Sequence, residues 1–232
     1  MIDLVIFDCD GVLVDSEALA CVVHADVLTQ HGYPITHEQV HARFLGRSAR
    51  EARAEVEAEL GRTLPDAYTV QLKAEIDRVF GEQLVPMPHL KQTLPKLSQR
   101  ICVASSGTPT RIRSSLTTTG LIDNFAPHLF SAMQVERGKP APDLFLFAAQ
   151  QMQVFPAKCL VIEDSIPGVI AGAAAGMTVL GFCGGSHCAP DHVAALSVAG
   201  ASAIFADMRQ LPQMIAEMAA DVRPAQAEPK VI

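Results

Sequence analysis

Short apolar runs recur along the chain at 4–7, 101–105, 129–131, 159–162 and 178–181, each bounded by polar or turn-forming residues, with a weaker sixth at 203–205. Runs of this length suit strands, and 4–7 and 159–162 are apolar at nearly every position, as central strands buried on both faces must be. Helix-length stretches lie among them at 110–119, 144–152, 169–175 and 208–219. Strands alternating with helices predict an α/β fold: a Rossmann-like parallel sheet covered on both faces.

The alternation breaks between Asp15 and Pro86. No strand pattern occurs there, and stretches such as Arg50-Glu51-Ala52-Arg53-Ala54-Glu55-Val56-Glu57-Ala58-Glu59-Leu60 are charged and amphipathic. Three or four helices are expected, broken near Gly32-Tyr33-Pro34, at Gly46 and over 61–66. The predicted organisation is a core built from 1–15 and 87–222, a helical insertion over 16–86, and a tail at 223–232. Pro224, Pro229 and a low apolar content predict that the tail is loosely held.

Charge narrows the partners. The chain has 232 residues and a net charge of −7, which leaves no dominant basic surface for nucleic acid or anionic membrane. A small anion remains acceptable if a metal and a few cations meet its charge locally. The stretch 166–185 has no charged residue, but Pro167 and its many glycines fit helix, turn and buried strand better than a membrane span. The start, Met1-Ile2-Asp3-Leu4, carries no basic leader, and the six cysteines are scattered without a disulfide framework. Reduced thiols and a cytoplasmic location are expected.

The chemistry sits where strands end. In Leu4-Val5-Ile6-Phe7-Asp8-Cys9-Asp10-Gly11, two carboxylates leave a buried strand at i and i+2, so period-two geometry turns Asp8 and Asp10 to one side. Cys9 faces the other way and is expected to pack in the core. The carboxyl end of a parallel strand is where open α/β sheets bind ligands. Ser105-Ser106-Gly107-Thr108-Pro109 follows a second strand, with Thr108 placed to cap a helix whose free N–H groups can hold phosphate oxygens. A plain capped helix would read the same. Lys139, between Gly138 and Pro140, has a restrained backbone that can aim its amine, although a solvated loop lysine fits as well. Glu163-Asp164-Ser165 ends another buried strand with hard oxygen ligands suited to Mg²⁺.

Asp8-Cys9-Asp10-Gly11, Ser105, Lys139-Pro140-Ala141-Pro142-Asp143 and Glu163-Asp164, in that order, resemble the motifs of the haloacid dehalogenase-like hydrolases over nearly the whole chain up to the tail. The closest resemblance is to the phosphatase branch with a helical cap, the group of phosphoglycolate phosphatase, sugar-phosphate phosphatases and β-phosphoglucomutase. The resemblance implies that Asp8 is nucleophile and metal ligand, and that Asp10 is general acid and base with its backbone carbonyl on Mg²⁺. It implies that Ser105, Ser106 and Lys139 hold the transferring phosphoryl group. Asp164 would bind the metal directly, and Glu163 either directly or through water. Residues 16–86 would form the cap, in which Glu17, Arg47 and Ser48 are candidates to meet the leaving group.

The implied activity is Mg²⁺-dependent hydrolysis of a small phosphorylated metabolite, a sugar, sugar-acid or polyol phosphate, through an aspartyl-phosphate. Asp10 argues against the dehalogenases of the superfamily, which lack an acid there. The alternative is a β-phosphoglucomutase-like phosphomutase, but that group places a histidine where this chain has Ala20, and His24 lies one turn on. A receiver phosphorylated on aspartate is disfavoured because it would lack the insertion. The segment 182–192 holds Cys183, His187, Cys188 and His192, yet its spacing fits no standard zinc finger or ribbon, so structural zinc is not assigned.

Overall fold

A computed structural model describes residues 1–44, 49–188 and 191–221. The chain opens with β1 (Leu4–Phe7) and then runs through α1 (Glu17–Gln30), α2 (His37–Phe44), α3 (Ala49–Leu60) and α4 (Asp66–Gln83). It continues through α5 (Leu90–Thr93), β2 (Arg100–Ser105), α6 (Pro109–Thr118), α7 (Ile122–Phe125), β3 (Leu129–Ser131) and α8 (Asp143–Gln151). Next come β4 (Cys159–Glu163), α9 (Ile166–Ala174), β5 (Thr178–Phe182), α10 (His192–Ala199), β6 (Ala203–Phe205) and α11 (Leu211–Asp221).

The described strands form one six-stranded sheet in the order β3-β2-β1-β4-β5-β6, and every neighbouring pair is parallel. The chain moves outward from β1 to β2 and β3, then returns to place β4 on the other side of β1. That reversal opens a crevice beyond the carboxyl ends of β1 and β4. Leu4 stands level with both Arg100 and Cys159, so the three central strands end at similar heights.

Strand alternation sorts the core into two layers. Leu4 and Ile6 pack with Val161, Val179, Leu144 and Phe145 on one face. Val5 and Phe7 pack on the other with Ile162 and Leu180, in an apolar cluster that extends to Val27, Tyr68 and Phe80 of the α1–α4 segment. Cys9 lies in that second cluster at 1% exposure, as expected for a packing residue.

Local chemistry explains two helix starts directly. Thr108 accepts from the Arg111 N–H at 3.2 Å with Pro109 in the first turn of α6, and Ser165 accepts from the Gly168 N–H at 3.1 Å at the start of α9. The expected breaks over 32–34 and 61–66 separate helices; Gly46 and the tail lie outside the described residues. The sequence pattern missed α10. Its residues, His192-Val193-Ala194-Ala195-Leu196-Ser197-Val198-Ala199, have no clean helical stripe, and only Leu196 is buried. The available signal was Gly200 in the left-handed conformation at its C-terminus (φ 111°). Likewise, 208–210 is a 3₁₀ turn capped by Asp207, and the α-helix starts only at Leu211, before Pro212. Among the described residues no helix is long and apolar enough to cross a membrane.

Candidate active site

The carboxyl ends of β1, β2 and β4 and the segment between β3 and α8 converge on one point. Asp8 continues the β1 ladder, its N–H donating to the Ile162 carbonyl at 3.0 Å, and its side chain is 10% exposed. Lys139 reaches it from the segment before α8: Nζ donates to Asp8 Oδ1 at 2.6 Å, to Glu163 Oε1 at 2.5 Å and to the Ala104 carbonyl at 3.1 Å. The lysine is 4% exposed and lies over the Phe145 ring, so it is aimed rather than solvated.

The adjacent acids at the end of β4 part company. Glu163 is fully buried, and its Oε2 accepts from the Ser165 N–H at 3.0 Å and the Ser165 hydroxyl at 2.9 Å. Both its oxygens are therefore engaged, one by Lys139 and one by Ser165. Asp164 turns instead toward the segment after β5. Its Oδ2 lies 2.9 Å from His187 Nε2, and its carbonyl accepts from His192 Nε2 at 2.5 Å. Gly11, at φ 81°, lets the first loop pass against this carboxylate; a Cβ there would lie 2.0 Å from Asp164 Oδ2.

Asp10 sits in the tight turn after β1, where the Gly11 N–H donates to the Val14 carbonyl at 2.9 Å. Its Oδ1 is buried without a hydrogen-bond partner and lies 3.5 Å from Arg111 Nη2. Arg111 in turn stacks on Phe80 of α4, 4.7 Å from the ring centroid. Ser105 is buried, with Oγ accepting from the Gly107 N–H at 3.0 Å, whereas Ser106 is exposed.

Burial drives the electrostatics. It pushes Asp8 well above the ordinary carboxylate range, with Lys139 opposing, and it pushes Asp164 up as well, with Glu163 adding to the rise. Burial also works against the Lys139 charge, but Asp8 and Glu163 outweigh it and hold the amine protonated, above the usual lysine range. Asp8, Glu163 and Asp164 bring ligand oxygens within 4.8 Å of one another. Three carboxylates against one ammonium leave an excess of two negative charges away from water, a deficit that a divalent cation fits. The donors are all hard oxygens, as Mg²⁺ prefers.

Of the expected cap residues, Glu17 opens α1 close enough to Asp10, Asp164 and His187 to feel their charges, and burial raises it to about 7. Glu17, Ala20 and His24 also line a cavity of about 440 Å³ among α1–α4, with Arg50 and Arg53 on its wall. Arg47 and Ser48 lie outside the described residues. Two residues were not anticipated. Arg111 could have been suspected as a cation in the first turn after the Ser105 loop. His187 could not, because nothing in the sequence ties the segment after β5 to Asp164.

The family model described as haloacid dehalogenase-like hydrolase matches residues 2–176. The chain belongs to the haloacid dehalogenase-like hydrolases. Among curated relatives of this hydrolase, 6-phosphogluconate phosphatase of Escherichia coli (strain K12) is 32% identical over 190 residues, covering 82% of this chain and 86% of that one. Phosphorylated carbohydrates phosphatase of Thermotoga maritima is 31% identical over 178 residues, covering 75% and 82%. A solved structure of a conserved haloacid dehalogenase-like protein from Agrobacterium tumefaciens superposes with a TM-score of 0.86 at 39% identity, covering 94% of this chain and all of that one. This hydrolase is an enzyme of the phosphatase kind, a phosphoric monoester hydrolase.

Proposed function

We propose that this hydrolase releases phosphate from a small phosphorylated sugar, sugar acid or polyol, with Mg²⁺ as cofactor and Asp8 as nucleophile. The observation that carries the reading is the buried excess of two negative charges around Asp8, with a clamped lysine beside it. Asp8, Asp164 and the Asp10 backbone carbonyl would hold the ion, which when bound neutralises phosphoryl oxygens. Glu163, with both oxygens engaged, fits better as the group that positions Lys139 than as a direct ligand.

The steps follow from the side chains. Lys139 holds Asp8 Oδ1, which leaves Oδ2 to attack phosphorus. Lys139 and the Ser105 hydroxyl, with Ser106 at the mouth, bind the phosphoryl oxygens. As the P–O ester bond breaks, Asp10 gives its proton to the leaving oxygen. Asp10 then takes a proton from water, the hydroxide attacks phosphorus, and the bond to Asp8 breaks to release inorganic phosphate. Arg111 pairs with the Asp10 carboxylate at 3.5 Å.

Residues 16–86 act as the cap over a core of 1–15 and 87–222. The cap meets the core through Phe80 on Arg111 and through His41 Nε2, which donates to the His187 carbonyl at 2.7 Å. Glu17 and the α1–α4 cavity receive the leaving group, and Arg50 on the cavity wall favours one that carries a carboxylate or several hydroxyls. Names of the relatives support the same substrate class. Ala20 in that cavity, where the mutases carry histidine, favours hydrolysis over transfer.

Phosphate release should be assayed over a panel of sugar, sugar-acid and polyol phosphates with Mg²⁺. Release of inorganic phosphate from at least one, lost in Asp8→Asn, is expected. A folded protein inactive on all of them, or one that returns an isomeric phosphate instead, refutes the proposal.

A further inference from the structure

The fold gathers a second set of metal-binding groups behind the first. Cys183, Cys188 and His192 each offer a ligand atom, and all these atoms lie within 4.8 Å of one another. All three residues are half-buried, so an ion can reach them. Tetrahedral coordination with Zn–S of about 2.3 Å needs the two sulfurs roughly 3.8 Å apart, within reach of small side-chain rotations. The linear spacing resembles no finger or ribbon because the donors come from the end of β5, the following loop and the first residue of α10.

The histidine is already set up as a ligand. A backbone carbonyl can only accept, so the 2.5 Å contact from His192 Nε2 to the Asp164 oxygen makes Nε2 the N–H and leaves the lone pair on Nδ1. Metal-bound histidines are oriented by this kind of second hydrogen bond. Around the trio, His187 Nε2 lies 3.5 Å from Cys188 Sγ, and Asp15 Oδ1 pins the loop by accepting from the Ser186 N–H at 3.1 Å and hydroxyl at 2.8 Å.

We propose that Cys183, Cys188 and His192 form a site for one thiophilic divalent ion of the zinc class, with a fourth position left to water. The site is separate from the oxygen-only cluster at Asp8 and does not depend on the phosphatase reading. Burial holds both thiols protonated, Cys188 up to about 12, so an ion must displace their protons, which thiophilic metals do and Mg²⁺ does not. An occupied site would hold His192, and through it the backbone of Asp164.

Co²⁺, a spectroscopic stand-in for zinc, tests this on the full chain with Mg²⁺ in excess to fill the oxygen site. One equivalent should give a thiolate-to-cobalt charge-transfer band with the intense visible bands of tetrahedral cobalt, both bleached by Zn²⁺. The double variant Cys183→Ser/Cys188→Ser should lose the band. His192→Gln, which keeps both thiols, should weaken binding at least about tenfold. No thiolate band in the folded wild type overturns the proposal. So does a band that survives the double variant, which would place the ion on another cysteine, or unchanged affinity in His192→Gln.

Discussion

Gly168→Ala is a one-carbon change that probes how the buried Lys139 is held. A Cβ at Gly168 would lie 1.9 Å from both Cδ and Oε1 of Glu163 and 2.3 Å from Oε2. That is roughly 1.5 Å inside ordinary van der Waals contact, so something must move. Glu163 is fully buried and bonded to Lys139 and to Ser165, so it cannot swing to solvent. Displacing it leaves Lys139 with Asp8 and the Ala104 carbonyl, and leaves a buried carboxylate without its donors. Breaking a buried pair in this way costs about 3–5 kcal/mol. For a domain of this size that is a fall in Tm of roughly 10 °C.

Urea unfolding of wild type, Gly168→Ala, Glu163→Ala and the double variant, at fixed Mg²⁺, isolates the clash. With Glu163 cut back to alanine the new methyl meets no carboxylate, and Gly→Ala in a helix then stabilises by about 0.5–1 kcal/mol. The same substitution should therefore change sign between backgrounds. A penalty that is equal in both, or one below about 1 kcal/mol in wild type, refutes the idea that Gly168 exists to make room for Glu163.

Three further outcomes are expected. Asp8→Asn should lower kcat by at least about 10³-fold with the fold intact by circular dichroism, and a chelator should abolish wild-type turnover until Mg²⁺ is returned. Gly11→Ala combines a left-handed backbone with a Cβ 2.0 Å from Asp164 Oδ2, so it should raise the Mg²⁺ needed for half-maximal activity at least about tenfold. Glu17 is raised from 4.5 to about 7 in the folded chain, so as pH climbs from 4.5 to 7 the unfolded chain gives up that proton first and metal-free stability falls, by of order 2 kcal/mol. Glu17→Gln should flatten that slope in urea titrations across the window; an unchanged slope would place the effect on another group.

How much the sequence disclosed depends on how local the cause is. The continuous apolar run of Leu4–Phe7 and the cap at Thr108 are properties of neighbours, and they placed the first strand and the start of α6 within a few residues. The acids and Lys139 were visible for a related reason: each leaves a strand end or a restrained loop, and parallel strands bring their carboxyl ends together. What stayed hidden was contact between distant segments. His187 meets Asp164 only because the loop after β5 folds back over β4, and Cys183, Cys188 and His192 meet only because α10 starts where it does. The different orientations of Glu163 and Asp164 were equally unreadable, since two adjacent acids look interchangeable until their donors are known.

That difference bears on why the site keeps three buried acids for one lysine. If Glu163 and Asp164 both faced the ion, Lys139 would lose one of its two carboxylate anchors, and a four-carbon side chain less tightly tied samples more rotamers. With Glu163 turned inward, Lys139 is held at Asp8, Glu163 and the Ala104 carbonyl together, so its ammonium is fixed before substrate arrives. The same arrangement shares the single ammonium charge between Asp8 and Glu163, so the three buried acids Asp8, Glu163 and Asp164 together carry more negative charge than Lys139 can offset. A buried excess of that kind is relieved by protonation or by a cation, and under the proposed mechanism protonation would silence Asp8. On the proposed mechanism the geometry that aims the lysine also calls for a divalent ion, and the two properties should be lost together when Glu163 is displaced.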